Sequence, residues 1–555
     1  MKTLLTFIII AFSSIISIGQ SRDLPNFVFI LTDDQPYGYM GCTGNEVVKT
    51  PNLDQLAQEG VLFTNAHITS AICTPSRASI LLSQFERKHG INFNSGTSVD
   101  LDAWSNSYPV VMRKNGYYTG WIGKNHVPVG EGGYASEVME KSFDYWYAGH
   151  VHLSFYPKDR HDIFQSAKSD TQAEVIAEGV DDFLSNKQKL GGAVKFLDNR
   201  PENQPFMLSV CFNLPHGAGT STMQMREKDP EIYKSLYRDI DIPVPSHYIS
   251  KEDIRVPKIP LDIHQAEDRQ KGYDYVDTPE TLRERYIRQL QAMTGIDQMV
   301  GKLRKKLKED GIAKNTVIIF SSDHGLLMGQ FGLGGKALCY EYTTHVPLII
   351  MNPLDSKSNR KKETNALVQS IDIAPTMLNL ARISIPETYQ GKDLTKLLVQ
   401  EQVDVREYLF TENLWSTQFG NPRCESVQNK EWKYIRYYKN ENFSALKKIQ
   451  TAKELGISPT AMLYKVHDPD IALYRSYIDA PLSKEQPEYE ELYNLSSDPD
   501  EVTNLSDMAE MKEKLNEMRK VWSLKIVEAR GVGKPGVLRY TSDSEYERTM
   551  TSKSK

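Results

Sequence analysis

Four stretches of this chain are runs of apolar and β-branched residues that end abruptly in charged or ionisable ones. Pro25-Asn26-Phe27-Val28-Phe29-Ile30-Leu31-Thr32 stops at Asp33-Asp34-Gln35. Gly116-Tyr117-Tyr118-Thr119-Gly120-Trp121-Ile122 leads into Gly123-Lys124-Asn125-His126. Pro205 to Asn213 reaches Leu214-Pro215-His216, and Asn315 to Ser322 delivers Asp323-His324-Gly325. A run that is apolar at nearly every position has no polar face to give to water. It fits a strand covered on both sides, inside an α/β sheet. Open α/β sheets carry their sites at such strand ends.

Adjacent carboxylates at the end of a buried strand are unfavourable unless something neutralises them. A hard divalent cation with oxygen ligands would do so for Asp33 and Asp34; a solvated turn is the plainer reading of an isolated pair. In extended backbone, alternate positions put Lys124 and His126 on one face. They then offer a fixed cation and a titratable donor to one oxyanion.

A further stretch places a thiol at a helix start: Ile72-Cys73-Thr74-Pro75-Ser76-Arg77-Ala78-Ser79-Ile80-Leu81-Leu82. Pro suits the first helical turn, where its missing N–H costs little. Cys73 at the positive helix end, with Arg77 one turn on, is placed to have a lowered pKa and to meet anions. A lone Cys is otherwise more often buried and inert.

Cys73-Thr74-Pro75-Ser76-Arg77 reads as Cys-x-Pro-x-Arg and resembles the signature of the type I sulfatases of the alkaline phosphatase superfamily. The other blocks of that family occur in the right order over residues 24–505. They are Asp33-Asp34, Gly-Lys124-x-His126, Pro-His216, Asp323-His324, and Lys336 after a glycine-rich loop. Departures are Ser83-Gln84 for the usual Thr-Gly, Gly217-Ala218 where a second Pro is usual after His216, His324 where many relatives have Asn, and His345 for the Arg of Arg-Val-Pro.

The resemblance implies an α/β fold: an alkaline-phosphatase-like domain with a central mixed sheet flanked by helices, and a small C-terminal domain with an antiparallel sheet. It implies hydrolysis of sulfate esters. Cys73 would be converted by a maturation enzyme to formylglycine (3-oxoalanine), whose hydrated aldehyde attacks sulfur. One Ca²⁺ would be held by Asp33, Asp34, Asp323, His324 and the modified Cys73. Whether His324 ligates metal or donates to the ester is left open. Arg77 and Lys124 would position the nucleophile; Lys124, His126, His216 and Lys336 would surround the sulfate. His216 or Lys336 would protonate the leaving alcohol. A phosphatase or phosphodiesterase of the same superfamily would need a Ser or Thr nucleophile and usually two metals. An inactive sugar-binding relative would not need Cys73 and Arg77.

The rest of the chain bounds the setting. Lys2, the apolar run Leu4 to Phe12 and small residues at Ser17-Ile18-Gly19 read as a signal peptide over 1–19, hence a periplasmic or secreted protein. No other stretch approaches membrane-spanning length, so no stable insertion is expected. A catalytic domain is expected over 20–403, a C-terminal subdomain over 404–530 and a mobile tail over 531–555. Apolar residues at three- and four-residue steps from Thr281 to Asp310 predict a long helix. Asp507 to Ala529 predicts a last one. Five widely spaced Cys give no deducible pairing. The net charge of −6 gives no general attraction to nucleic acid, and none is expected as a partner.

Residues 144–163 mix aromatic faces with His150, His152, Lys158 and Arg160, which suits a sulfated sugar. Arg423, in a Pro-Arg-Cys turn of the small domain, is placed with them as a substrate contact. The expected substrate is a sulfated polysaccharide or its oligosaccharides, algal polymers such as ulvan, carrageenan or fucoidan before host glycosaminoglycan.

Overall fold

The computed structural model describes residues 24–92, 97–149, 192–216, 235–261, 263, 274–355, 362–399, 404–414, 421–438, 481–482, 484–533 and 535–539. The expected signal peptide and most of the 144–163 loop lie outside them.

The catalytic part runs β1 (Asn26–Asp33), α1 (Pro51–Glu59), β2 (Val61–Phe63), α2 (Cys73–Leu82), β3 (Tyr118–Lys124), β4 (Tyr145–Gly149), β5 (Phe206–Pro215), α3 (Pro279–Glu309), β6 (Thr316–Ser322), β7 (Leu348–Met351) and β8 (Glu363–Thr364). The strands form one eight-stranded sheet in the order β8-β2-β7-β6-β1-β5-β3-β4. Only β7 runs against its neighbours, so the sheet is mixed, as expected.

β1 is buried at every position, and its two faces feed two cores. Val28 and Ile30 pack with Leu53 and Leu56 of α1 and Leu290, Met293 and Ile296 of α3. Phe27, Phe29 and Leu31 pack on the other face with Ala78, Leu81 and Leu82 of α2. Two-sided burial is why the run lacks polar alternation. The helix predicted from Thr281 starts two residues earlier. Thr278 caps it by accepting from the Thr281 N–H, with Pro279 in the first turn.

Neighbours β6, β1, β5 and β3 are mutually parallel. Their carboxyl ends therefore lie along one edge. That brings Asp323-His324, Asp33-Asp34, His216 and Lys124 together from sequence positions nearly 300 residues apart.

Four antiparallel strands, β9 (Leu409–Asn413), β10 (Arg423–Gln428), β11 (Trp432–Tyr438) and β12 (Tyr489–Asn494), make the C-terminal sheet, with α4 (Lys512–Arg530) against it. The turn expected at Arg423 is in fact the first residue of β10. The tail differs too. Val537–Arg539 pairs antiparallel with Thr97–Val99, and the Asp100 N–H donates to the Gly536 carbonyl. The chain from 531 is therefore tied back at 536–539 by backbone bonding that its polar composition conceals.

Buried ionic contacts join the two parts. Arg87 donates through its backbone N–H and Nε to Glu412 of β9, at 2.8 and 2.9 Å, and through Nη2 to Glu425 of β10. Glu425 also accepts from Trp522 of α4 at 2.8 Å. A second junction gathers Glu341, His67, Gln428 and Lys433; Lys433 is 3.0 Å from Glu341 and 2.8 Å from Glu501. His345, in place of the family's Arg, stacks on both Tyr37 and His67 and donates to the Thr64 carbonyl at 2.9 Å. Burial, with His67 beside it, pushes its pKa down to about 4, so it packs as a neutral ring. The Cys339 and Cys424 thiols lie 3.5 Å apart and are not bonded. Among the described residues, no helix is long and apolar enough to cross a membrane.

Arg87 holds two carboxylates that are almost wholly buried. Removing one partner of such a network leaves uncompensated charge, which costs roughly 3–5 kcal/mol. Arg87→Met should lower the denaturant midpoint by about that free energy; an unchanged midpoint would refute the latch.

Candidate active site

Helix α2 is buried along its whole length, and Cys73 is its first residue. The first intrahelical bond runs from the Ser76 N–H to the Ile72 carbonyl. Pro75 therefore sits where its missing N–H is not needed. Ser83 ends the helix at φ 53° and donates to the Ile371 carbonyl at 2.7 Å, so Ser serves where relatives have Thr.

The thiol faces the strand ends. Cys73 Sγ is 3.1 Å from His324 Nε2, 3.1 Å from Lys336 Nζ and 3.6 Å from Asp33 Oδ1. One turn on, Arg77 donates from Nε to Asp323 Oδ2 at 2.8 Å and from Nη1 to the Lys124 carbonyl at 3.1 Å. Ser76 Oγ donates to the Asp323 carbonyl. Lys124 pairs directly with Asp33. Lys336 lies 2.8 Å from Asp34 Oδ1, and His324 Nδ1 is 3.3 Å from the same oxygen. His216 Nε2 is 3.9 Å from Asp34 Oδ2.

Asp34 stands at φ 63°, a left-handed conformation that lets two adjacent carboxylates serve one centre. His126, just beyond β3, is buried with φ 62°. The left-handed turn replaces the simple alternation expected for Lys124 and His126.

Burial works against ionising Asp33, but Lys124, His216, Arg77 and Lys336 outweigh it and hold its pKa well below the usual carboxylate range. Burial and the charge of Asp33 push Asp323 the other way, despite His324 and Arg77. Burial also opposes the His324 imidazolium; Asp323 and the Cys73 sulfur overcome it and lift His324 to about 9.

The donor atoms of Asp33, Cys73, Asp323 and His324 all lie within 4.8 Å of one another. Asp34 Oδ2 is buried and accepts no hydrogen bond. Two carboxylates, a sulfur and an imidazole in one buried cluster fit a divalent cation, and the adjoining Asp34, outside that set of four, has an unsatisfied oxygen.

The site thus unites Cys73, Arg77, Lys124, Lys336, His216, Asp33, Asp34, Asp323 and His324, with His126 just past the same edge. It does not include Arg423. That guanidinium pairs with Glu485, 3.1 Å from Nη1 to Oε2, and lies 5.0 Å over the Tyr438 ring. His150, His152 and Arg160 lie outside the described residues. Sequence reading missed Asn421, which donates to the Lys336 carbonyl at 2.6 Å from the C-terminal part. Gln35 was missed too: it accepts from Thr32 Oγ at 2.6 Å and donates its N–H to Ser322 at 3.1 Å, tying β1 to β6 beneath the carboxylates. A Gln directly after the Asp pair was the available signal.

The family profile described as Sulfatase matches residues 25–383. The chain belongs to the sulfatase family. A second profile, N-sulphoglucosamine sulphohydrolase, C-terminal, matches residues 329–455. An N-acetylglucosamine-6-O-sulfatase of Bacteroides thetaiotaomicron is 25% identical over 541 residues, 89% of this chain and 85% of that one. An ulvan-active sulfatase of Formosa agariphila is 26% identical over 422 residues, 74% and 73% of the two chains. A solved structure in complex with D-glucosamine-2-N,6-O-disulfate superposes with TM-score 0.63 at 20% identity, covering 92% of this chain and 98% of that one. A phosphonate monoester hydrolase of Silicibacter pomeroyi gives 0.67 at 20% identity, covering 93% and 99%, and shares the fold. This sulfatase is accordingly a hydrolase of sulfate esters. Sulfatases generally use formylglycine and a metal ion, and the cluster around Cys73 has donors that could hold a metal ion.

Arg77 makes bonds in two directions that a lysine cannot reproduce. Arg77→Lys should fold but lose roughly 2–3 kcal/mol, the worth of a charge-assisted buried bond with its partner left unpaired. Denaturant unfolding checks this; wild-type stability would show that the guanidinium geometry is idle.

Proposed function

We propose that this sulfatase removes sulfate esters from a sulfated polysaccharide or its oligosaccharides, through formylglycine made from Cys73 by a separate maturation enzyme. The observation that carries the reading is the first residue of α2, a thiol with Lys336 and His324 each 3.1 Å away, inside the family match. The names of relatives support a sugar substrate and divide between amino-sugar and algal polymers. The basic and apolar start of the chain supports export to the periplasm or beyond.

Asp33, Asp34, Asp323 and His324, with the modified residue 73, would hold one divalent cation, which we take to be Ca²⁺. The ion would supply Lewis-acid polarisation, and formylglycine would supply the nucleophilic hydroxyl of its hydrated aldehyde. The protein's own residues do the remainder. Arg77 fixes Asp323 and the Lys124 backbone, and so sets the distance between the helix start and the strand ends. Lys336 places an N–H donor against the reacting position. Lys124 and His126 bring positive charge and hydrogen-bond donors to sulfate oxygens where charge develops. His216, with a side chain 23% exposed, is the most open of the set. Its outward place favours it as proton donor to the leaving alcohol.

The test is sulfate release from defined sulfated oligosaccharides and an aryl sulfate, by protein produced with a maturation enzyme. The residue-73 peptide should carry the aldehyde mass. Cys73→Ala should fold normally and release no sulfate from any substrate. Undiminished turnover by Cys73→Ala, or faster release of phosphate than of sulfate, would overturn the proposal.

A further inference from the structure

Among the described residues, Arg77, Arg87 and Arg285 are the arginines exposed by 1% or less. Arg77 holds Asp323, and Arg87 holds Glu412 and Glu425. Arg285 is different. Its Nε and Nη1 are buried without any hydrogen-bond partner. The Tyr275 ring lies 4.5 Å from its guanidinium carbon. A cation–π contact balances only part of what a guanidinium loses on leaving water. Among the described residues, this buried permanent cation therefore has no anion as a partner.

The Tyr275 ring on which Arg285 packs connects it to the region of Cys73 through one apolar cluster. Leu282, one turn before Arg285 on α3, and Tyr275 belong to an apolar cluster with Ile72 and Ala337. Ile72 immediately precedes Cys73, and Ala337 immediately follows Lys336. One turn further along α3, Gln289 accepts from the Tyr39 hydroxyl at 2.9 Å, and the Tyr286 and Tyr39 rings lie 5.5 Å apart. Burial first, then Tyr286, hold the Tyr39 hydroxyl well above its ordinary pKa; Arg285 pulls it down and Asp34 adds to the rise, so both charges reach that one group. Arg285 thus stands in the wall that carries the site, as covered as Cys73 and Lys336, both at 1%.

We infer that Arg285 is a specificity-determining residue: it binds a second oxyanion of the substrate, a carboxylate or a further sulfate, apart from the ester being cleaved. This rests on the sulfated-sugar reading. Nε and Nη1 lie on different edges of the guanidinium, and either can donate to an oxyanion oxygen, with Nη2 completing a fork on that edge. With no counter-ion among the described residues, the charge awaits the one that substrate brings. Arg285 takes no part in bond making at sulfur, so a substrate with a single anionic group should not depend on it.

The experiment compares wild type with Arg285→Met and Arg285→Lys in the full, matured enzyme. The substrates are 4-nitrophenyl sulfate, a sulfated oligosaccharide bearing a uronate, the same with its carboxyl reduced, and one bearing a second sulfate. Arg285→Met should keep its rate on 4-nitrophenyl sulfate. It should lose about 10- to 100-fold in kcat/KM, mainly through KM, on the oligosaccharide that supplies the partner anion. Arg285→Lys should recover part of that loss. If carboxyl reduction of the substrate removes the difference between wild type and variant, the partner is the carboxylate. If the difference appears only with the second sulfate, it is that group. Arg285→Met should also melt at a higher temperature than wild type, since an unpaired buried charge is replaced by an apolar side chain. Equal losses on the aryl sulfate and the oligosaccharides, or no loss on any, overturns the inference. A wild type inert on every sulfate ester sinks the sulfatase reading instead. The melting comparison still decides Arg285 then, because a lower melting temperature makes it a structural residue.

Discussion

Three carboxylates, Asp33, Asp34 and Asp323, meet in the dry interior at the ends of β1 and β6, and the surrounding structure is arranged to make that tolerable. Like charges this close in a low-dielectric interior repel strongly. The parallel pairing of β1 with β6 leaves them no room to part, because the register that buries Phe27 to Leu31 also sets where the strands end. Neutralisation must come from elsewhere in the chain. Arg77 arrives on α2, Lys124 from β3 and Lys336 from the loop before Glu341. The helix that carries Cys73 also carries the guanidinium that anchors it. The position of Cys73 is thus a consequence of charge balance as much as of apolar packing.

The same logic extends outward. Three permanent cations, Arg77, Lys124 and Lys336, match the three carboxylates in number. A divalent ion on the carboxylates would shift the balance towards positive charge, which is what an oxyanion substrate needs. The C-terminal part belongs to this arrangement. Asn421 fixes the backbone of Lys336, and Arg87, just beyond α2, locks the helix region onto β9 and β10. Loosening that contact would move the site as well as the smaller sheet.

Much of this was legible in the sequence, for physical reasons. Strands covered on both faces must be apolar throughout, so β1, β5 and β6 stood out, and the ionisable residues ending them marked one edge of a sheet. β10 was hidden because Arg423-Cys424-Glu425-Ser426-Val427-Gln428 looks polar. Glu425 is buried with Arg87, 338 residues away in the chain, as its counter-charge and Trp522 and Tyr438 as further donors. Arg423 looked free to reach a substrate, yet Glu485 and Tyr438 hold it inside the small domain. The pairing of Val537–Arg539 was hidden likewise, since backbone bonds to a distant short strand leave no mark in composition. Arg285 was invisible among the charged positions of a 31-residue helix, where nothing local tells a solvated face from a buried one.

The central claim is that the carboxylate cluster is a site for one divalent cation on which hydrolysis of sulfate esters depends. Elemental analysis of the purified, matured protein tests it most directly, with sulfate release measured on the same samples before and after chelation. The account predicts one divalent ion per chain, Ca²⁺ in our reading. Chelation should remove ion and activity together, and Asp323→Asn should bind the ion much more weakly. Full activity in metal-free protein, or two tightly held ions per chain, would contradict it.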